Sequence, residues 1–375
     1  MRGRGYWNDF IAILIAALAV IAAIVALNVT GAHGQAAPGV AIIGDSLSDE
    51  YRADDNRGGT YGATTFNWLE VLVQLRGLDA GAWGNWGGQQ RSGYRHNWSR
   101  SGATTDSMVA AGVPASVASQ VVAGQVSYLL VMLGPNDFSP SFSTLHNEIY
   151  NGTLVEPALS TRLNAIHDRI INTIDTIRSA GTVRVVLSTI IGEGLDHIPV
   201  TSAEKTSYLA AYPDGMKRER VFGAQKYVND RLKLSAATRG VALFDVNAYF
   251  VALTIETQAN GGALVIGGQR IEANIKGNDP HHMLLGDQWF HPGTVFAGRL
   301  ANAMFVEPFN ACCALGLAPL TDSELLQLAG IQAVPTVTPT PTATNTPVPT
   351  ATATPLPTAT PGVCPCLTPT PMACP

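Results

Sequence analysis

Val40-Ala41-Ile42-Ile43-Gly44-Asp45-Ser46-Leu47-Ser48 decides how this chain folds. A short apolar run ending at glycine reads as a strand buried on both faces, followed by a tight turn that lifts a serine above the sheet edge. Moving outward, Tyr94–Trp98, Tyr128–Gly134, Val183–Ile190 and Val241–Val246 repeat the pattern of a short apolar strand. Helical periodicity fills the intervals, at about Thr64–Arg76, Pro114–Ala123, Ser160–Ser179 and Lys217–Ala237, with a last helix from Pro292 to Phe305. Strands alternating with helices predict an α/β fold of three layers, with a mostly parallel five-stranded sheet covered on both faces. Right-handed crossovers then put ligands at the carboxyl ends of the strands. Ala263–Ile275, centred on Gly267-Gly268, reads as a hairpin inserted late in the domain.

The two ends of the chain differ from this middle. Phe10–Leu27 is a run of 18 uncharged residues behind Arg2 and Arg4, with small residues following at Ala32, Gly34, Ala36 and Ala37. That length suits both a cleaved signal peptide and a retained membrane anchor, and both readings stand. Either one places the rest of the chain outside the cytoplasm, secreted or held at the cell surface. From about 334 onward the sequence is nearly all Pro, Thr, Ala and Val, with 12 prolines between Pro335 and Pro375. Such a segment favours extended polyproline II and reads as a stalk. The expected organisation is therefore 1–37 for export, 38–333 for the globular domain and 334–375 for a low-complexity tail.

Composition removes several classes of function. A formal net charge of −5 gives no basic face for nucleic acid. With 46% hydrophobic and 14% charged residues the middle region is globular. Five cysteines exclude a disulfide-dense scaffold, and Cys312 and Cys313 are read as lying just beyond the globular part, with Cys364, Cys366 and Cys374 in the tail. Asp49, Glu50, Asp54 and Asp55 lack the Asp-x-Asp-x-Asp-Gly pattern of a calcium loop and are expected to form a solvated turn.

Four pieces sit where an α/β sheet presents its chemistry. They are Gly44-Asp45-Ser46, Asn97 to Thr104 with Gly102 inside it, Gly134-Pro135-Asn136-Asp137, and Gly286-Asp287-Gln288-Trp289-Phe290-His291-Pro292. In this order and spacing they resemble the SGNH (GDSL) hydrolases, over about Val40 to Phe305. The resemblance implies a flavodoxin-like sandwich and an ester hydrolase without cofactor or metal. Position by position it makes Ser46 the nucleophile and His291 its general base. The backbone N–H groups of Ser46 and Gly102 and the amide of Asn136 become the oxyanion hole. The chemistry needs these types: a hydroxyl is a weak nucleophile until an imidazole takes its proton, and the oxyanion needs preorganised donors.

One departure stands out. The family places its acid three residues before the histidine, whereas here Gln288 occupies that position and Asp287 lies four residues before His291. Asp287 is the candidate orienting acid, in a loop with one residue bulged out. The alternative is a Ser–His dyad whose ring is held by Gln288 or a backbone carbonyl. Asp45 is expected to stabilise the turn, and His281 and His282 are the rivals of His291. Trp83, Trp86, Trp98 and Trp289 fit either a ligand platform or packing. The implied activity is hydrolysis of an acylated polysaccharide, a lipid ester or a small ester. A binding or adhesion module that keeps the fold without turnover is the competing class, and a metal-dependent phosphoesterase lacks its Asp/His cluster.

Overall fold

The computed structural model describes residues 39–53, 56–88, 90–192, 202–287 and 290–332. The membrane-length run 10–27, the proline-rich tail, Asp54, Asp55, Gln288 and Trp289 lie outside the described residues. No helix among the described residues is long and apolar enough to cross a membrane.

The central sheet has four parallel strands, β1 (Val40–Gly44), β4 (Tyr128–Met132), β5 (Arg184–Ser188) and β6 (Ala242–Phe244), in the order β1-β4-β5-β6. The fifth strand expected at 94–98 is only vestigial. Ser92–Tyr94 (β3) pairs instead with Trp83–Asn85 (β2) in a separate antiparallel ribbon. The following residues run beside β1 through one parallel bridge, Ile42 to Asn97, with Ile42 N donating to His96 O at 3.1 Å and Trp98 N donating to Ile42 O at 2.8 Å. The small sheet β7 (Ala263–Ile266) and β8 (Gln269–Glu272) is the hairpin that Gly267-Gly268 predicts.

Alternation within the strands divides the core in two. Val40, Ile42, Leu130 and Met132 face one side. Ala41, Ile43, Leu129 and Val131 face the other. Both sides are dry, which is why these strands read as continuous apolar runs. On the second side lie α3 (Val113–Val122), α5 (Ala158–Ser179) and α7 (Gly215–Arg239); Leu163, Ile166, Ile170, Ile174 and Ile177 give α5 its buried stripe at helical spacing. The first side is covered by α1 (Trp68–Arg76), which a capping box between Asn67 and Glu70 starts cleanly. It packs on α9 (Thr294–Ala301).

The last helix differs from expectation at its start. Pro292 does not open it: Pro292 pairs with Leu284 in an antiparallel bridge, and the helix begins at Thr294 behind Gly293. The body continues beyond this helix. Helix α10 (Glu307–Cys313) and helix α11 (Asp322–Leu328) contribute Phe309, Leu325 and Leu326 to the core, all fully or almost fully buried. Cys312 and Cys313 therefore belong to the body, where they are disulfide-bonded to each other.

Candidate active site

Strand register sets the site. Gly44 is the partner of Met132, so the chain leaves β1 and β4 at the same level on adjacent strands. Ser46 follows the first by two residues and Asn136 the second by four. On the other side of β1, Arg100 N donates to Gly44 O at 3.1 Å, which brings the 99–104 loop to the same edge.

The Ser46 turn is held from several directions. Asp45 O accepts from Ser48 N and Asp49 N, both at 3.0 Å, and Asp45 Oδ1 accepts from Leu47 N at 3.0 Å. Asp45 thus has the turn-stabilising position expected of it, and burial pushes its carboxyl up to about 7. Trp68 Nε1 donates to Ser48 Oγ at 3.0 Å and Asn97 Nδ2 to Ser48 O at 2.8 Å. Ser46 itself is half-buried.

Asp49 and Glu50 are not part of a solvated turn, since each is only 3% exposed. Asp49 Oδ2 accepts from Ser101 N at 2.7 Å and is ion-paired with Arg91, tying the Ser46 turn to the loop that carries Gly102. Glu50 Oε1 accepts from Tyr94 N at 2.7 Å, and burial raises its carboxyl to about 8. No signal in the sequence separated these acids from Asp54 and Asp55. Their role appears only once residues 91–101 fold back on the turn. Among the described residues no group of three or more His, Cys, Asp and Glu could hold a metal ion.

Gly102 and Asn136, two of the expected oxyanion donors, lie on adjoining segments. Gly102 takes φ +78°, and a Cβ there would lie 2.8 Å from the Phe142 ring, so both the turn and the close packing call for glycine. Asn136, in the 3₁₀ turn Pro135–Phe138, donates its amide to Ala103 O at 3.0 Å, one residue beyond Gly102. Asp137 fastens the same two segments by accepting from Thr105 N at 2.8 Å and Thr105 Oγ1 at 2.7 Å.

His291 and Asp287 arrive together on one hairpin. Leu285 N donates to His291 O and Gly293 N to Met283 O, both at 2.8 Å, which pairs residues 283–285 with 291–293. Asp287 Oδ2 lies 2.5 Å from His291 Nδ1. The opposite nitrogen, Nε2, is buried and makes no hydrogen bond, so the contact with Ser46 Oγ that activation of the serine needs is not formed in this conformation. Burial holds the His291 imidazole below its ordinary range; Asp287 opposes that shift, and Arg57 and Lys276 reinforce it.

Arg57, which the sequence does not single out, is the further member of this cluster. Its Nη1 donates to Asp287 Oδ2 at 2.9 Å and contacts His291 Nδ1, while Nη2 donates to Ser101 Oγ at 3.2 Å. The rival histidines are engaged elsewhere: His281 Nδ1 is 3.0 Å from Asp279 Oδ1 and His282 Nδ1 is 3.2 Å from Asp279 O. Trp98 is a packing residue that donates to Gln120 Oε1 at 3.0 Å. Trp83 and Trp86 are exposed on the β2–β3 ribbon, the first edge-on to Tyr94 and the second under Arg95.

The fold is an α/β sandwich, and the residues singled out in the sequence gather at the carboxyl edge of its parallel sheet. The family model for GDSL-like lipase/acylhydrolase matches residues 40–304, and the chain belongs to that family of ester-bond hydrolases. Among solved structures the chain is similar to the acetyl xylan esterase AlAXEase, at 13% identity and a TM-score of 0.37 over 72% of this chain and 98% of that one. It is similar also to an acetylxylan esterase from Geobacillus stearothermophilus, at 16% identity and a TM-score of 0.37 over 80% and 97% of the two chains. A third similar structure is a hydrolase from the metagenome of Lake Arreo, Spain, at 15% identity and a TM-score of 0.34, over 75% of this chain and 97% of that one. No match was found among curated proteins.

Proposed function

We propose that this protein is an exported serine esterase that cleaves carboxylic esters through an acyl-enzyme on Ser46. His291 Nε2 takes the Ser46 proton as Oγ attacks the ester carbonyl. Asp287 holds Nδ1–H and stabilises the imidazolium, as in any Ser-His-acid site. The tetrahedral oxyanion is received by the N–H groups of Ser46 and Gly102 and the amide of Asn136, whose Nδ2 carries a second N–H beside the one donated to Ala103 O. His291 then returns the proton to the departing alcohol, and water repeats the sequence to release the acid. A cavity of about 300 Å³ lined by Thr104, Asp137, Phe142, Arg162 and Arg169 adjoins the Gly102–Asn136 side and gives room for part of a substrate.

The observation that carries this reading is the Asp287–His291 contact, with Nε2 buried and uncommitted. A stalk-like tail and an export segment favour a polymeric ester of the envelope or surroundings over a soluble metabolite. Residues 39–332 assayed on p-nitrophenyl esters of short and long acyl chains test the proposal. Turnover that Ser46→Ala abolishes supports it. Absence of turnover on every ester, with Ser46 resistant to fluorophosphonate labelling, would move the protein to the binding-module class.

A further inference from the structure

Lys276 lies where a lysine is rarely found, with its side chain only 8% exposed. It belongs to the loop after β8, which runs beside the histidine hairpin. There Gly277 N donates to Leu284 O and Gly286 N donates to Asn278 Oδ1, both at 3.1 Å. From the residue before these contacts, Lys276 Nζ donates to Asp287 O at 2.6 Å and lies 3.9 Å from Asp287 Oδ1. It also stands 5.8 Å from the centroid of the Phe290 ring. An ammonium has three donors and no acceptor, and burying it costs free energy unless it is paired and hydrogen-bonded. Here the bond and the ion pair go to the same residue, Asp287, the acid of the proposed site. Asp287 is thus gripped at two points: Arg57 Nη1 donates to its carboxylate at 2.9 Å, and Lys276 holds its main-chain carbonyl.

We infer that Lys276 is a positioning residue: by holding Asp287 O it sets where the carboxylate meets His291 Nδ1. This rests on the reading of Asp287 as the orienting acid, but the effect on His291 can be measured whether or not the ester chemistry holds. The charged or titratable groups facing the imidazole are Asp287, Arg57, Lys276 and Tyr51, whose ring meets it edge-on at 6.1 Å. Asp287 favours the protonated ring through both its hydrogen bond and its charge. Lys276 opposes it by charge alone, and less strongly than Arg57 does. Two roles for the lysine therefore have opposite signs. Loss of a positioning lysine loosens the carboxylate from Nδ1 and lowers the pH at which His291 titrates. Loss of a mere neighbouring cation raises it.

The test is NMR titration of histidine-labelled protein, with the His291 ring assigned by its loss in His291→Gln. Lys276→Met should lower the His291 midpoint by about one pH unit. Lys276→Arg keeps donors and charge and should stay near the wild type. Lys276→Gln is neutral and one bond shorter; it should move the midpoint the same way as methionine, and it serves if the apolar variant does not fold. In an Asp287→Asn background Lys276→Met should lower the midpoint no further, because the lysine acts through the carboxylate. A midpoint that rises or stays put in the methionine and glutamine variants overturns the inference, as does an equal drop in the Asp287→Asn background. On any ester the wild type cleaves, Lys276→Met should cut kcat about ten- to a hundredfold with KM nearly constant. The acid limb of kcat/KM should move to lower pH with the midpoint, and Lys276→Arg should recover most of the rate. A lysine that only ties loops together would lower the melting temperature and leave midpoint and limb in place, which overturns the inference too. A lowered midpoint without turnover on any ester would sink the esterase reading and leave the positioning of Asp287 standing.

Discussion

Arg76 and Glu324, 248 positions apart, share a two-pronged ion pair at 2.8 and 2.7 Å. The same guanidinium donates to Ala318 O and Pro319 O, both at 2.7 Å, so the end of α1 is laced to the segment entering α11.

That lacing separates two truncations. Removing residues 333–375 is expected to leave the melting temperature and any esterase activity unchanged. Removing everything from Glu307 takes Phe309, Leu325, Leu326 and Ile331 out of the core. Each such side chain contributes roughly 1.5–3 kcal/mol, against about 5–15 kcal/mol for a whole domain. The shorter protein should show no cooperative transition in thermal denaturation. A cooperative transition in the 39–306 fragment would contradict the assignment of α10 and α11 to the body.

Two buried carboxyls set an unusual pH dependence of stability. Asp45 is raised to about 7 and Glu50 to about 8, so the folded state holds protons that the unfolded chain has released. Their contribution is fully present below the unfolded carboxyl range and is lost as pH rises through the folded values. The lowered histidines His96, His146 and His291 act in the opposite direction, but only below the ordinary imidazole range. Urea midpoints should therefore fall between about pH 6.5 and 8. Glu50→Gln should flatten the slope, since a neutral amide can still accept from Tyr94 N. An unchanged slope in that variant would show that Glu50 is already ionised in the native state.

Asp287→Asn tests the acid. If the carboxylate stabilises the imidazolium, kcat should fall by about three to four orders of magnitude with the melting temperature nearly unchanged. A loss of less than about tenfold, under 1.4 kcal/mol of barrier, would assign the site to a dyad.

If Asn136 is an oxyanion donor, as proposed, Asn136→Ala should lower kcat by about 10²–10³, with KM changed little. The bond to Ala103 O is lost as well, so a thermal shift measured alongside separates catalysis from loop stability. A rise in KM at constant kcat would mean that the amide binds substrate and transition state alike.

Much of this site is legible before folding because each element announces itself locally. Gly44-Asp45-Ser46 and Gly134-Pro135-Asn136 are strand ends, and alternation within Val40–Gly44 and Tyr128–Met132 already separates the two sides of the sheet. The vestigial strand beside Ile42 was not legible, since Tyr94–Trp98 has the composition of a strand and only the β2–β3 ribbon takes its first residue away. Asp49, Glu50 and Arg57 were hidden for a different reason. Their partners, Ser101, Tyr94 and Asp287, are 44 to 230 positions distant, and charged residues in an apparent turn carry no local mark of burial. The start of α9 was misplaced by two residues because Pro292, a common first helical residue, is used here to close a hairpin.

On the proposed reading of the site, that hairpin divides the catalytic equipment into two inheritances. Nucleophile and oxyanion donors belong to the sheet edge, where register and buried acids leave no length to vary. The histidine and its acid travel as a cassette, clasped below by Thr294, whose hydroxyl donates to Thr64 O at 2.6 Å and accepts from Phe66 N at 3.0 Å. The acid-to-histidine spacing lies wholly within the cassette, away from its clasped base, so a lengthened spacing is a change the rest of the protein does not have to answer.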